Sequence, residues 1–133
     1  MPDLIWAVPC RTVITDSDTN SVSYIEATHA LAAKKLPSAL PKFVLATAWK
    51  ASKPGDSLRM RVRLEGPDGS ELAASEFLEL KFTEEFQRLN INLAGTEVRV
   101  AGDHAIILER YSRGGWRPVT RVPVRIALAP EST

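Results

Sequence analysis

Asp16, Asp18 and Asn20 stand at alternate positions in a short polar run, the spacing at which three oxygen ligands open a calcium loop. The remainder of such a loop is missing, because Ser21 occupies the place of the required glycine and Ala27 that of the bidentate glutamate. Acidic turn residues that bond their own backbone account for the same pattern. No metal is expected, and these three residues are only the best ligand candidates in the chain, usable if another part of the fold completed the site. A nucleophile with a base would have to draw on Cys10 and either His29 or His104. Cys10 lies in an apolar run, where a lone thiol acts as a small hydrophobe. His104 follows Asp103 directly, and adjacent strand residues point to opposite faces, so that carboxylate does not orient that imidazole. The chain has no Gly-rich phosphate loop, no G-x-S-x-G elbow and no H-E-x-x-H pair. Catalytic residues and cofactors are therefore not expected, and neither is an enzyme.

Two basic stripes remain. Arg59, Arg61 and Arg63 alternate with apolar residues, and Arg117, Arg121 and Arg125 recur at every fourth position near the C-terminus, on the strand face opposite Thr120, Val122, Val124, Ile126 and Leu128, where Arg113 and Trp116 stand close by. Such stripes serve either as ordinary solvated faces or as contacts to phosphates or an acidic partner. For the first stripe, Glu71 and Glu79 on the following strand offer cross-strand compensation. The second stripe has Trp116 as a stacking surface, so Arg113, Trp116, Arg117, Arg121 and Arg125 are the candidate partner-binding residues. Trp6 and Trp49 sit in apolar runs and are expected in the core, which leaves Trp116 as the exposed indole.

The elements that position these side chains are strands. In Ser57 to Glu65, Leu58, Met60, Val62 and Leu64 alternate with the arginines, a period of two that marks a half-buried strand. Gly66-Pro67-Asp68-Gly69 then turns the chain into a second strand from Glu71 to Phe82. Lys42 to Lys50 forms a further strand before Lys53-Pro54-Gly55-Asp56. Leu4 to Ile14 and Ser21 to Ala30 make an N-terminal hairpin, although 26–35 is rich in helix formers and leaves strand or helix open there. Phe86 to Leu93, His104 to Tyr111 and Trp116 to Leu128 complete the set. About eight strands at this spacing predict an all-β antiparallel sandwich, immunoglobulin-like or C2-like. Pro9, Pro118 and Pro123 within the terminal strands place both of those strands at sheet edges.

The 133 residues fit one domain spanning 1–133. Hydrophobic residues at 44% and charged residues at 25% exclude a disordered chain. A net charge of +1 argues against nucleic acid or an anionic membrane as the partner. The single cysteine excludes an intrachain disulfide. Leu4 to Val8 follows Asp3 without the basic segment of a secretory signal, and no run is long enough to span a bilayer. A cytoplasmic protein is expected.

The order of these segments resembles an uncharacterised family of small bacterial β-sandwich proteins. The likeness rests on SVSYI (Ser21 to Ile25), the entry into KFVLATAW, INLAG (Ile91 to Gly95), Gly102 and PVRI (Pro123 to Ile126). It implies a sandwich and implies no activity. The function expected is that of a binding module: a scaffold, adaptor or subunit of a bacterial cytoplasmic assembly with a protein partner, homo-oligomers included. The alternative is a small-ligand module for a carbohydrate or nucleotide-like molecule held by the loops 16–20, 52–56 and 66–69.

Overall fold

Twelve strands and no helix make up the computed structural model, which describes residues 2–19, 22–28, 30–40, 43–75 and 77–128. They are β1 (Asp3–Thr15), β2 (Val22–Ala27), β3 (Ala30–Ala33), β4 (Ser38–Ala39), β5 (Val44–Lys50), β6 (Ser57–Glu65), β7 (Glu71–Ala74), β8 (Leu78–Lys81), β9 (Phe86–Asn92), β10 (Glu97–Val98), β11 (Gly102–Ser112) and β12 (Gly115–Leu128). One sheet, here sheet A, has the order β2-β1-β5-β9. The other, sheet B, has the order β3-β12-β11-β6-β7, with β8 also paired to β6. β4 and β10 form a two-stranded bridge. No described helix is long and apolar enough to cross a membrane.

The expected all-β sandwich is therefore present, with more strands than the pattern suggested. The strand anticipated from Glu71 to Phe82 is two, because β7 and β8 pair with different halves of β6 and the chain leaves the ladder between Ala74 and Leu78. The helix-prone segment 26–35 contributes β3, which lies parallel to the end of β12, from Arg125↔Ala30 to Leu128↔Ala33. Pairing to an existing sheet overrides local propensity there.

The inner faces of the two sheets enclose the core. Leu45 and Trp49 on β5 meet Leu58, Met60, Val62 and Leu64 on β6, together with Ile106, Leu108, Val122, Val124 and Ile126 from the β11–β12 hairpin. Phe43, Phe82, Ile91 and Val98 fill the ends and flank. Trp49 is fully buried, and its indole donates to Thr47 Oγ1 at 2.9 Å while that hydroxyl donates to Leu89 O at 2.7 Å. Gly102, at φ 134°, lets the β6–β7 turn close on β11, since a Cβ there would stand 2.9 Å from Pro67 Cγ.

The terminal strands are not edge strands. β1 lies between β2 and β5, and β12 between β3 and β11. Their prolines sit where a neighbour stops or slips. Pro9 pairs with Leu45 on β5, and on its other side its carbonyl accepts from Thr28 N just past the end of β2. Pro123 pairs with Ala105, two residues before β3 begins to pair at Arg125. Pro118 flanks the register shift between Leu108 and Glu109. A missing donor needs only a local gap in the ladder.

The loop from β5 to β6 is held by Asp56. Its carboxylate accepts from the Ser52 hydroxyl at 2.7 Å, Ser52 N at 3.0 Å and Ser57 N at 3.0 Å. The Ser52 hydroxyl bond chiefly, with the backbone donors adding to it against partial desolvation, lowers its pKa to about 2. An Asp in an unfolded chain titrates near 3.9. The depressed native value means that this stabilisation is complete above the unfolded value and is lost as pH falls through about 2. Urea denaturation of the native chain and of Asp56→Asn should thus show a constant stability gap from neutral pH down to about pH 5, closing between about 4 and 2. A gap independent of pH over that range would contradict this role.

Candidate binding face

The face of sheet B turned away from the core gathers five of the eleven arginines, Arg59, Arg61, Arg63, Arg121 and Arg125, because directly paired residues share a face. Arg61 is opposite Glu109, Arg63 opposite Ile107, Ile107 opposite Arg121, Asp103 opposite Arg125, Tyr111 opposite Trp116, and Arg59 opposite Glu79. Glu109 is the centre of this face, and only 6% of it is exposed. Its Oε1 accepts from Arg61 Nε at 2.7 Å and from Arg63 Nε at 2.9 Å. Burial pushes the carboxyl upward, but the two guanidinium bonds and their charges outweigh it and leave the pKa below the usual glutamate value.

Around this pair the aromatic residues assemble. The Arg61 guanidinium stacks on Trp116 at 4.5 Å, and Arg59 lies between Phe77 at 5.2 Å and Tyr111 at 5.5 Å. Trp116 meets Tyr111 edge-on at 5.4 Å and Phe77 at 6.5 Å. Phe77 remains 57% exposed and Tyr111 42%. Guanidinium stacking fixes these rings with little rotamer freedom left to lose on docking.

Each arginine of the face also has an acidic partner. Arg59 pairs with Glu79, Arg63 reaches Glu71 at 3.6 Å, Arg121 bonds Glu65 at 2.8 Å and Arg125 bonds Asp103 at 2.9 Å. The compensation of the first stripe by Glu71 and Glu79 is as the sequence suggested, and Glu109 adds to it from a strand distant in sequence. The second stripe is divided. A bulge at Val119 shifts the register between Pro118↔Glu109 and Thr120↔Leu108. Arg121 and Arg125 thereby share the outer face with Trp116, while Arg117 pairs with Arg110. Arg110 lies on the inner side, 5.9 Å from the Trp49 ring and bonded to Pro2 O at 2.7 Å. Arg117 bonds Ser112 O, and Arg113 occupies the turn at φ 53°. Of the five partner-binding candidates, Trp116, Arg121 and Arg125 lie on one face, spread along β12 opposite Tyr111, Ile107 and Asp103, and Arg117 and Arg113 lie off it. Phe77, Tyr111 and Glu109 were missed. Tyr111 could have been found from the tight hairpin, which sets it directly across from Trp116.

The other candidates disperse. Asp16 Oδ1 accepts from Asp18 N at 2.8 Å and Thr19 N at 3.2 Å, so it caps its own turn; Asn20 lies outside the described residues. Among the described residues no three His, Cys, Asp or Glu side chains gather as metal ligands would. Cys10 pairs with Val44, on the outer face of sheet A, and burial raises its pKa despite a backbone bond at Thr12. His104, 2% exposed, is on the inner face of sheet B; its Nδ1 is 3.0 Å from Gly102 O and its Nε2 has no hydrogen-bond partner among the described residues. Cys10 and His104 are thus on different faces of different sheets, and His29 lies outside the described residues. Asp103 points outward to Arg125, away from His104. Trp49 is core, but Trp6 is not. A bulge between Leu4 and Trp6 sets Leu4 across from Trp49 and Trp6 across from Ala48, on the outer face of sheet A.

The three loops of the small-ligand alternative do not converge. β1 starts opposite Lys50 and ends at Thr15, so the turn after it lies at the far end of the sandwich from loop 52–56. Turn 66–69 follows β6 and shares that far end. Two separate depressions result, one of about 430 Å³ beside Ser52–Gly55 and Thr83–Glu85, the other of about 690 Å³ beside Gly66–Asp68 and Arg99–Ala101. No family model matches the chain, and no curated protein does.

Proposed function

We propose that the chain is a non-enzymatic binding module, a scaffold, adaptor or subunit of a bacterial cytoplasmic assembly, which takes a protein partner on the outer face of sheet B. The observation that carries this reading is the exposed pair Phe77 and Tyr111, set with Trp116 on a rigid arginine frame. Aromatic residues and arginine dominate the energetic centres of protein interfaces. Because the arginines already hold carboxylates, the partner is the mixed-charge one of the two kinds, acidic or mixed, that the arginine stripes suggest, with apolar side chains at its centre. The likeness to the small bacterial β-sandwich family belongs to the same proposal and adds a fold, not an activity.

Phe77→Ser combined with Tyr111→Ser removes the exposed rings while leaving Glu109 and its arginines in place. Exposed positions tolerate such changes with little loss of stability. Quantitative affinity isolation from the native host should recover about tenfold less partner with this double variant, the effect of losing two central aromatic contacts. Ile14→Ser, on an exposed site of sheet A, should leave recovery unchanged. Equal recovery with all three proteins would remove the face from consideration.

A further inference from the structure

Sheet A has two edges with no described strand beyond them, β2 and β9, and β9 is the longer. β9 pairs with β5 over all seven residues without a register shift, from Lys50↔Phe86 to Val44↔Asn92. Leu93 N bonds Phe43 O, Ala51 N bonds Glu85 O, and the Thr47 hydroxyl bonds Leu89 O. Odd-numbered residues therefore face β5, and in an antiparallel ladder the alternate residues face the other way. Phe86, Arg88, Asn90 and Asn92 present their N–H and C=O groups to the free edge, where no described backbone group meets them. Natural edges are blunted by shortness, bulges, proline or charge. β3 is four residues long and runs into Lys34 and Lys35, and β7 and β8 are short, interrupted, and carry Glu71, Glu79 and Lys81. β9 has no proline, no glycine, no bulge and the single charge Arg88.

We propose that β9 pairs antiparallel with β9 of a second copy about a two-fold axis at Leu89, joining two copies of sheet A into one continuous sheet. This surface is separate from the aromatic face of sheet B. The choice of a second copy rests on the strand's own complementarity. Centred on Leu89, Phe86 falls opposite Asn92 and Arg88 opposite Asn90, so every outward backbone group is matched and the only charge meets a neutral amide. Centring on Arg88 would set the two arginines against each other, and centring on Asn90 would leave Phe86 beyond the ladder. The isologous arrangement also closes on itself and covers the β9 edge of each copy.

Sedimentation velocity of the full chain, with amide exchange at Arg88 and Asn90, tests this. The expected result is a concentration-dependent dimer at about tens of micromolar, with both amides protected in the dimer. Asn90→Pro deletes an outward donor and none that faces β5, so it should yield a folded monomer with unchanged melting. Asn90→Asp sets a carboxylate opposite Arg88 of the second copy and should tighten the dimer by about two- to fivefold, while Asn90→Lys should weaken it by a similar factor. These two variants decide the matter if the proline variant fails to fold. A monomer at several hundred micromolar, a dimer indifferent to Asn90→Pro, or a common direction for Asn90→Asp and Asn90→Lys would overturn the proposal. So would amides that become protected only when a different protein's strand is added.

Discussion

Trp49→Ala destabilises the fold by about 4 kcal/mol, the largest loss expected from any single substitution in the core. The indole is fully buried near the C-terminal end of β5, which lies between β1 and β9, and faces the inner side of sheet B. Truncation removes its apolar contacts, opens a cavity that the two sheets cannot both collapse into, and ends the donation to Thr47 Oγ1. A domain of this size has roughly 5–15 kcal/mol of net stability, so the variant keeps only part of it. Trp49→Phe should cost about 1–2 kcal/mol, since it retains most of the volume and loses the indole donor. Urea denaturation monitored by circular dichroism gives both values. A cost for Trp49→Ala below about 1 kcal/mol would mean that the two sheets do not close on this residue.

The second large effect belongs to Glu109. Glu109→Leu should cost about 2–3 kcal/mol, because Arg61 and Arg63 are left as charges over a mostly buried strand without their shared acceptor. Partial exposure of both arginines keeps the figure below that of a fully buried pair. Glu109→Gln keeps an acceptor oxygen and should cost about 1 kcal/mol. Replacing the whole cluster by Arg61→Met, Arg63→Met and Glu109→Leu should recover most of the loss, as apolar replacement of a complete buried ion cluster is close to neutral. Since the native carboxyl is held below its ordinary pKa, its contribution is complete above the unfolded glutamate value of about 4.3 and is lost as pH falls beneath it. If the triple variant were no more stable than Glu109→Leu alone, the cost would lie in packing and not in orphaned charge.

Much of this architecture was legible where the period of two runs unbroken. Leu58, Met60, Val62 and Leu64 are core as their alternation implies, and Arg59, Arg61 and Arg63 lie together on the other face. Parity fails at bulges. One extra residue at Ile5 moves Trp6 out of the core register, and another at Val119 turns Arg117 away from Arg121 and Arg125. A bulge is a two-against-one count between partners, so it cannot be read from one strand alone. The centre of the candidate face was hidden for a related reason. Glu109 stands in what reads locally as an apolar run, and its meaning comes from Arg61 and Arg63 across the ladder, 48 and 46 positions away in sequence. Phe77 carries no local signal, because the break between β7 and β8 delivers it to Trp116. The hairpin turn of Gly66–Gly69, by contrast, was plain from its proline and glycines.

The claim that the outer face of sheet B receives a protein is tested most directly by hydroxyl-radical footprinting of the chain in its isolated native assembly and free in buffer. The expected result is that labelling of Phe77 and Tyr111 falls several-fold in the assembly, while Ile14 and Val100, exposed on other surfaces, label at the same rate in both. Unchanged labelling of Phe77 and Tyr111 in an assembly that does contain the chain would contradict the account.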